Sequence, residues 1–168
     1  LRSGRQWLGE KFKKNQDAQQ SFEYTLSGSA DSVEVWVSVA ANSEGPCSFD
    51  VSVNNNVLGN IQIEAIQNGV YGEKIKYNAI NAKTQVSGNK VTLTLTFQPA
   101  SGVDTSLGFL DFFVMAIKRK INLGDDKEMI IRLAPGSLRT FEISQATNQS
   151  QVWDITDPLN ARRLNSSI

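Results

Sequence analysis

The sequence of 168 residues contains no histidine and a single cysteine, and its seventeen basic and seventeen acidic side chains cancel. Without imidazole the chain lacks the commonest general base, which excludes hydrolase triads and dyads built on histidine. The zero formal net charge argues against nucleic acid as a partner, because nucleic-acid binders are strongly basic. No apolar run approaches the roughly 20 residues that span a bilayer, so no membrane span is expected.

The length fits one domain with one hydrophobic core. The chain starts at Leu1 rather than at methionine, and we expect it to be a segment of a longer protein. Cys47 has no second cysteine with which to form an intramolecular disulfide, which leaves its redox role open. We interpret it as a small, partly buried apolar residue near a turn, because a free cysteine usually has a packing role. A catalytic thiol is not expected, since no histidine is present to activate it.

Alternation of apolar and polar residues dominates the chain and predicts strands. In SVEVWVSVAA the valines from Val33 to Val39 alternate with Glu34, Trp36 and Ser38, and KVTLTLTFQ and SFDVSVN follow the same period of two. Shorter strands are predicted at 21–27, 57–66, 71–80, 128–133, 139–144 and 151–155. We predict an all-β antiparallel β-sandwich of about nine to ten strands, with jelly-roll or Greek-key-like connections. The best candidate for a helix is the segment from Gly9 to Gln20.

The segment LGFLDFFVMAIKRKI is apolar on both faces of its predicted strand. Simple alternation places Leu110 on one face together with Phe112 and Val114, and it places Phe113 on the other. A strand of this kind is central in the fold or covered on its outer face. Asp111 interrupts the apolar run, and we interpret it as a carboxylate bonded to nearby backbone. A calcium site with Asp104 is the alternative, although no dense Asp/Asn/Gly loop accompanies it.

Three segments resemble the sortases of the type IX secretion system, which are gingipain-type signal peptidases of Bacteroidetes. LRSGRQWLGEKF, from Leu1 to Phe12, is similar to the start of an internal β-domain of that family. GFLDFFVMAIKRKI, from Gly108 to Ile121, and QVWDITDPLNARRL, from Gln151 to Leu164, follow in the family order. Three motifs in order are more specific than any one of them, and the resemblance spans essentially the whole chain.

The resemblance implies that the chain is a non-catalytic accessory domain that packs beside and orients a cysteine peptidase domain absent from this sequence. The longer protein would cleave C-terminal sorting signals of exported proteins and transfer those proteins to a lipopolysaccharide anchor. The chain itself would not be an enzyme, with no catalytic, cofactor-binding or metal-binding residues. Residues of the two end motifs would contact the neighbouring domain, since large aromatics near a boundary suit such packing: Trp7, Glu10, Phe12, Trp153, Asp154, Asp157 and Arg162.

The expected organisation is an N-terminal segment with the WLGEKF motif at 1–20, a β-sandwich at 21–158 and an exit linker at 159–168. The expected partners are the adjacent peptidase domain and other secretion-system components at the outer membrane. The resemblance places the protein among exported proteins of the periplasm or the cell surface. No cofactor is expected.

Two alternatives come from other classes. A jelly roll with exposed aromatic rings can be a carbohydrate-binding module, for which Trp36, Tyr71 and Tyr77 are the candidates. Packing is the preferred interpretation of Trp36, because only 8% of the residues are aromatic and a glycan platform needs several on one face. Catalysis by paired carboxylates is the other alternative. Its candidates alternate with apolar residues, but nothing in the sequence brings two of them together: Glu34, Asp50, Glu64 and Asp111.

Overall fold

A computed structural model describes residues 8–67, 72, 74–124, 128–132 and 142–165. The chain divides into two compact units, Leu1–Arg119 and Lys120–Ile168. Trp7 and Tyr71 lie outside the described residues. The domain boundaries expected from the sequence, 1–20, 21–158 and 159–168, stay predictions.

The first unit is an antiparallel β-sandwich with the strand order of a jelly roll. The strands are β1 (Lys11–Lys13), β2 (Gln19–Thr25), β3 (Ala30–Asn42), β4 (Cys47–Val53), β5 (Asn56–Ile63), β6 (Lys76–Gln85), β7 (Lys90–Gln98) and β8 (Leu107–Arg119). The first sheet has the order β1-β8-β3-β6 and the other has the order β2-β7-β4-β5. Successive strands therefore alternate between the two sheets, except that β4 and β5 are neighbours in the same sheet, as in a double Greek key. The predicted all-β fold class is confirmed.

The core lies between the two sheets and is formed by the alternating apolar residues that the sequence pattern singles out. Val33 and its alternate neighbours to Val39 are completely buried on β3, while Leu93 and Leu95 on β7 face them from the other sheet. The polar residues between them point away from the core, because successive side chains of a strand lie on opposite faces. Each sheet therefore has an outer face with its own chemistry.

Gly108 marks the tightest packing in the described core. Phe49 contacts Phe12 edge to face with ring centroids 5.1 Å apart, and it lies 4.9 Å from Phe97. A Cβ atom on Gly108 would lie 2.5 Å from the ring of Phe49 and 2.9 Å from that of Phe97. The absence of a side chain at Gly108 allows three aromatic rings to meet beside β8.

A β-bulge in β8 corrects the faces expected for its apolar residues. Val39 pairs with Leu110 and Ser38 pairs with Phe112, so that Asp111 is the extra residue. The extra residue shifts the alternation by one position. Leu110 is therefore buried in the core, whereas Phe112 is exposed on the outer face. The prediction that these two side chains share a face is wrong.

Two other local expectations also differ from the structure. The segment from Gly9 to Gln20 is not helical: it contains β1, a turn in which Asn15 has a positive φ of 63°, and the start of β2. Asparagine tolerates this left-handed conformation better than most residues, which favours a turn there. The described part of the strand expected at 128–133 is not a strand either, and the rest of it lies outside the described residues.

The second unit contains a short antiparallel hairpin. β9 (Val152–Asp154) pairs with β10 (Arg162–Leu164), and the 3-10 turn Pro158–Asn160 lies between them. Upstream, Asn122 and Ser144 form an isolated parallel bridge. In the part of the chain that is described, no helix is long and apolar enough to cross a bilayer.

Candidate functional site

The sheet β1-β8-β3-β6 has one side that points away from the core, and this side is called the outer face below. It is formed by side chains of β3, β6 and β8. The register places these side chains in four rows across the three strands, because directly opposed residues share a face. From β6 to β3 to β8 the rows are Tyr77, Ala40 and Phe109; Ala79, Ser38 and Phe112; Asn81, Trp36 and Val114; and Lys83, Glu34 and Ala116.

An aromatic corner lies in the middle of the outer face. Trp36 is 52% exposed and Phe112 is 40% exposed, although both are large apolar side chains. Their ring centroids are 5.3 Å apart and their planes are nearly perpendicular, at 79°. Val114, which lies opposite Trp36 in the register, extends this apolar surface. The corner offers ring faces to a ligand instead of burying them in the fold.

A polar pair lies beside this corner. The Ser38 hydroxyl donates a hydrogen bond of 2.8 Å to a carboxylate oxygen of Asp111. Asp111 reaches Ser38 because it is the extra residue of the bulge, next to Phe112. An ionised carboxylate only accepts hydrogen bonds, so the Ser38 hydroxyl helps to fix the direction of the Asp111 carboxylate. The pair therefore presents an oriented acceptor next to the aromatic rings.

Tyr77 brings a third aromatic ring to the outer face. It is 44% exposed and lies on β6, opposite Ala40. Partial desolvation raises the pKa of Tyr77, and the negative charge of Asp111 raises it further. The phenol and the carboxylate therefore influence each other across the outer face. The Tyr77 hydroxyl is protonated near neutral pH and can both donate and accept a hydrogen bond.

Charged residues lie at the other end of the outer face. Glu34 and Lys83 are opposite each other in the register and border a shallow depression beside Ala116 and Lys118. Asn81, opposite Trp36, separates this charged end from Tyr77 on the same strand. The outer face thus changes from aromatic to amide to charged side chains along β6.

The structure brings together some of the residues named from the sequence. Trp36 and Tyr77 lie on the same face, and the preferred interpretation of Trp36 as packed is wrong, since half of the side chain is exposed. Glu34 and Asp111 also lie on this face, whereas Asp50 belongs to β4 in the other sheet. Sequence reasoning missed Phe112, because the bulge that turns it outward leaves no mark in the alternation.

Asp104 and Cys47, which the sequence analysis considered for a metal site and for a nucleophile, have other surroundings in the structure. Asp104 forms an ion pair of 3.1 Å with Lys14, not a calcium site with Asp111. Within the described ranges, no three His, Cys, Asp or Glu side chains are grouped to hold a metal ion. Cys47 is 3% exposed, so it is more deeply buried than the partly buried residue expected from the sequence, and this burial raises the pKa of the thiol. A hydrogen bond to Ser43 opposes this shift without cancelling it.

The residues predicted to contact another domain fall into different environments. Glu10 is exposed, whereas Phe12 is completely buried against Phe49. The side chain of Phe12 is already enclosed by the sandwich core, so it cannot be the contact surface. For Glu10 and the residues of the second unit, contact with another domain stays a prediction.

Asp154 and Asp157 organise the loop of the hairpin in the second unit. Asp154 accepts hydrogen bonds from the hydroxyl and the backbone N–H of Thr156, at 2.6 Å and 3.0 Å. Asp157 accepts one from the Asn160 side chain at 2.7 Å and one from the Leu159 N–H at 3.0 Å. These bonds lower the pKa of both carboxyl groups, and the charge of Arg162 adds to the effect at Asp154. Trp153 and Arg162 are exposed beside them.

The comparisons with known proteins concern the fold. No protein-family model matches the chain, and no curated protein matches it. Among solved structures, the carbohydrate-binding module CBM36 in complex with calcium and xylotriose is similar at a TM-score of 0.40 and 13% identity, over 63% of this chain and 78% of that one. The C-terminal domain of EclA, a sugar-binding protein, is similar at 0.49 and 10% identity, over 69% and 81%.

A third similar structure is an enzyme of which the matched part is small. It is a cycloisomaltooligosaccharide glucanotransferase from Paenibacillus complexed with cycloisomaltoheptaose, with a TM-score of 0.32 and 9% identity, over 61% of this chain and 13% of that chain. At such identities the likeness shows the fold alone, and this protein is an antiparallel β-sandwich.

These comparisons correct the function expected from the sequence motifs. The prediction of a sortase accessory domain is wrong: the similar structures are described as a carbohydrate-binding module and a sugar-binding protein, which agrees with the alternative interpretation. The expectation that this chain is not an enzyme stays a prediction. Membership of the sortase family, the peptidase activity of a longer protein, and export to the periplasm or the cell surface stay predictions.

Proposed function

We propose that this protein is a carbohydrate-binding β-sandwich whose binding site is the outer face of the first sheet. The observation that carries the proposal is the group of three exposed aromatic rings on one face, those of Trp36, Phe112 and Tyr77. Exposing large rings is unfavourable in water, so such a group usually marks a binding surface.

The chemistry of this group suits a sugar ring. One side of a pyranose carries C–H groups, which are attracted to the negative face of an aromatic ring. Trp36 provides the largest such face among the exposed rings of the described part of the first unit. A sugar that stacks on Trp36 covers the apolar surface of the indole. The hydroxyl groups of the sugar lie at the edge of the sugar ring and stay hydrated.

The polar groups between the rings suit those hydroxyl groups. Asp111 and Ser38 offer a carboxylate and a hydroxyl oxygen next to the aromatic corner, and Asn81 lies opposite Trp36. Ligand sites typically combine apolar walls with a few oriented polar groups. A protein-binding patch would have a mostly apolar centre with charged groups at its rim. Here the carboxylate lies between the rings, which favours a hydroxyl-rich ligand.

A glycan array followed by a matched pair of tryptophan variants tests the proposal. Trp36→Ala should abolish the array signal, because it removes the main stacking surface. Trp153→Ala is the control: Trp153 is 51% exposed, close to the 52% of Trp36, but it belongs to the hairpin of the second unit. The control variant should keep the signal of the unchanged protein, and both variants should show its circular dichroism spectrum.

Three results would count against carbohydrate binding. The first is an array without signal, and the second is an equal loss of signal in the two variants. The third is self-association of the unchanged protein in light scattering that Trp36→Ala removes, which would identify the outer face as a contact between two copies of the chain.

A further inference from the structure

The outer face contains two aromatic positions that are separated along the strands. Tyr77 lies four residues before Asn81 on β6, and Asn81 is directly opposite Trp36 on β3. With about 3.4 Å per residue along a strand and about 4.8 Å between strands, the backbone positions of Trp36 and Tyr77 are roughly 14 Å apart. This backbone distance exceeds the width of one sugar ring, so the two positions leave room for more than one sugar unit along the face.

The surface between the two positions is low and polar. On β6, the outer-face residue between Tyr77 and Asn81 is Ala79, which is exposed and has only a small methyl group as its side chain. Ser38 lies opposite Ala79 and is bonded to Asp111. No large side chain of β3 or β6 stands between Trp36 and Tyr77 in this register. A ligand chain can therefore pass from one ring to the other over hydrogen-bonding groups.

The aromatic corner itself accommodates one sugar unit. The planes of Trp36 and Phe112 are 79° apart, so the two rings cannot both stack on the flat side of the same sugar or of adjacent units in a flat chain. One of the two aromatic rings stacks on the sugar unit, and the other contacts the edge of that sugar. Among the described residues of the outer face, Tyr77 carries the remaining largely exposed ring for a second stacking contact, and its hydroxyl group lies under the influence of Asp111.

We infer that the outer face binds an oligosaccharide through two subsites, with one sugar unit in the Trp36–Phe112 corner, the chain crossing Ala79 and the Ser38–Asp111 pair, and a later unit against Tyr77. This inference rests on the proposed function and specifies the ligand as a chain instead of a single sugar. Affinity should increase with chain length until the chain reaches Tyr77 and should then stay constant, because none of the described residues places another largely exposed ring on the outer face beyond Tyr77.

The test is calorimetric titration of the whole chain with three ladders of neutral saccharides, from monosaccharide to hexasaccharide: xylo-, cello- and malto-oligosaccharides. Trp36→Ala should weaken binding of every length by about tenfold or more, the loss expected for a stacked ring. Tyr77→Ala should weaken only the longer saccharides, by about tenfold, and should leave the shortest binding saccharide unchanged. Tyr24→Ala is the matched control, because Tyr24 is 46% exposed but lies on β2 of the other sheet.

The outcomes separate the inference from the proposed function. Length-dependent affinity that Tyr77→Ala removes and Tyr24→Ala keeps supports both. Binding that Trp36→Ala removes, but that is equal for all lengths or unchanged in Tyr77→Ala, overturns the two-subsite inference and leaves carbohydrate binding in place. If none of the three ladders binds and the glycan array is also empty, the proposed function fails and the inference fails with it.

Discussion

Ser38 donates a hydrogen bond of 2.8 Å to Asp111, which follows it by 73 positions in the sequence. The bond joins β3 to the bulge of β8 at the point where the outer face changes from apolar to polar. Ser38 is only 8% exposed, so the bond is shielded on one side from water. It holds the carboxylate in place beside the exposed rings.

A double-mutant cycle should detect this bond as a coupling energy. Ser38→Ala and Asp111→Ala, singly and together, should give a coupling of about 1.5 to 3 kcal/mol in the free energy of unfolding, because a hydrogen bond to a charged group is stronger than a neutral one. The measurement is urea unfolding of the four proteins. The control pair is Ser21 and Thr94, whose hydroxyl oxygens are 3.0 Å apart on the exposed side of the other sheet. A coupling at Ser38 no larger than in that neutral pair would contradict the prediction.

Gly108→Ala should destabilise the protein by about 1 to 3 kcal/mol, the usual range for overpacking a core. Its new methyl group would meet the rings of Phe49 and Phe97, at 2.5 Å and 2.9 Å, and neither ring can move freely. Thermal or urea unfolding measures the effect. In the control Gly59→Ala, the methyl group meets only the flexible end of the Ile80 side chain, at 2.7 Å. That variant should lose clearly less stability, and equal losses would argue against close packing at Gly108.

The period-two alternation predicted the core of the sandwich because it is a local property of each strand. The valines of β3 and the leucines of β7 are buried as the pattern requires. The same pattern placed Trp36 outward or in a second core, and only the neighbouring strands decide between the two. The register shows that Asn81 and Val114 flank Trp36 without covering it.

The bulge in β8 could not be predicted from the sequence. Whether Asp111 counts as an ordinary strand residue or as an extra one depends on how β8 pairs with β3, and this pairing joins residues far apart in the chain. One extra residue reverses the face of every side chain that follows. This is why Phe112, a main residue of the candidate site, was expected to share a face with the buried Leu110.

The position of Phe12 was missed for a similar reason. Its motif lies near the start of the chain and was expected to contact another domain, but β1 pairs with β8 and Phe12 lies opposite Gly108 in that pairing. The small residue leaves space for the ring. A contact of this kind depends on a residue 96 positions away, which no local pattern reveals.

Phe12→Ala should therefore destabilise the sandwich by about 3 to 5 kcal/mol, as expected for removing a fully buried ring. Phe112→Ala is the matched control, since the ring of Phe112 is 40% exposed and its removal leaves a smaller cavity. Urea unfolding of the two variants should give a much lower midpoint for Phe12→Ala. Similar midpoints would contradict the assignment of β1 to the core of the sandwich.

The loop of the β9–β10 hairpin should lose its order in acid. The pKa values of Asp154 and Asp157 are lowered by hydrogen bonds that their ionised forms accept, so the bonds favour the folded loop while the groups are charged. This stabilisation is complete above the ordinary aspartate pKa of 3.8 and is lost as the pH falls through the lower folded pKa values. The amide proton signals of Thr156 and Leu159, followed by NMR from pH 6 downwards, should thus stay constant to about pH 4 and shift only below it.

Variants of Asp157 separate the effect of hydrogen bonding from the effect of charge. Asp157→Asn keeps an oxygen that can accept the Leu159 N–H, since asparagine is as good an N-cap as aspartate. It should keep the loop ordered at neutral pH and remove the acid shift of the Leu159 signal, whereas Asp157→Ala should disorder the loop at every pH. A Leu159 signal in the unchanged protein that titrates at or above pH 3.8 would show that the ionised carboxylate does not hold the turn.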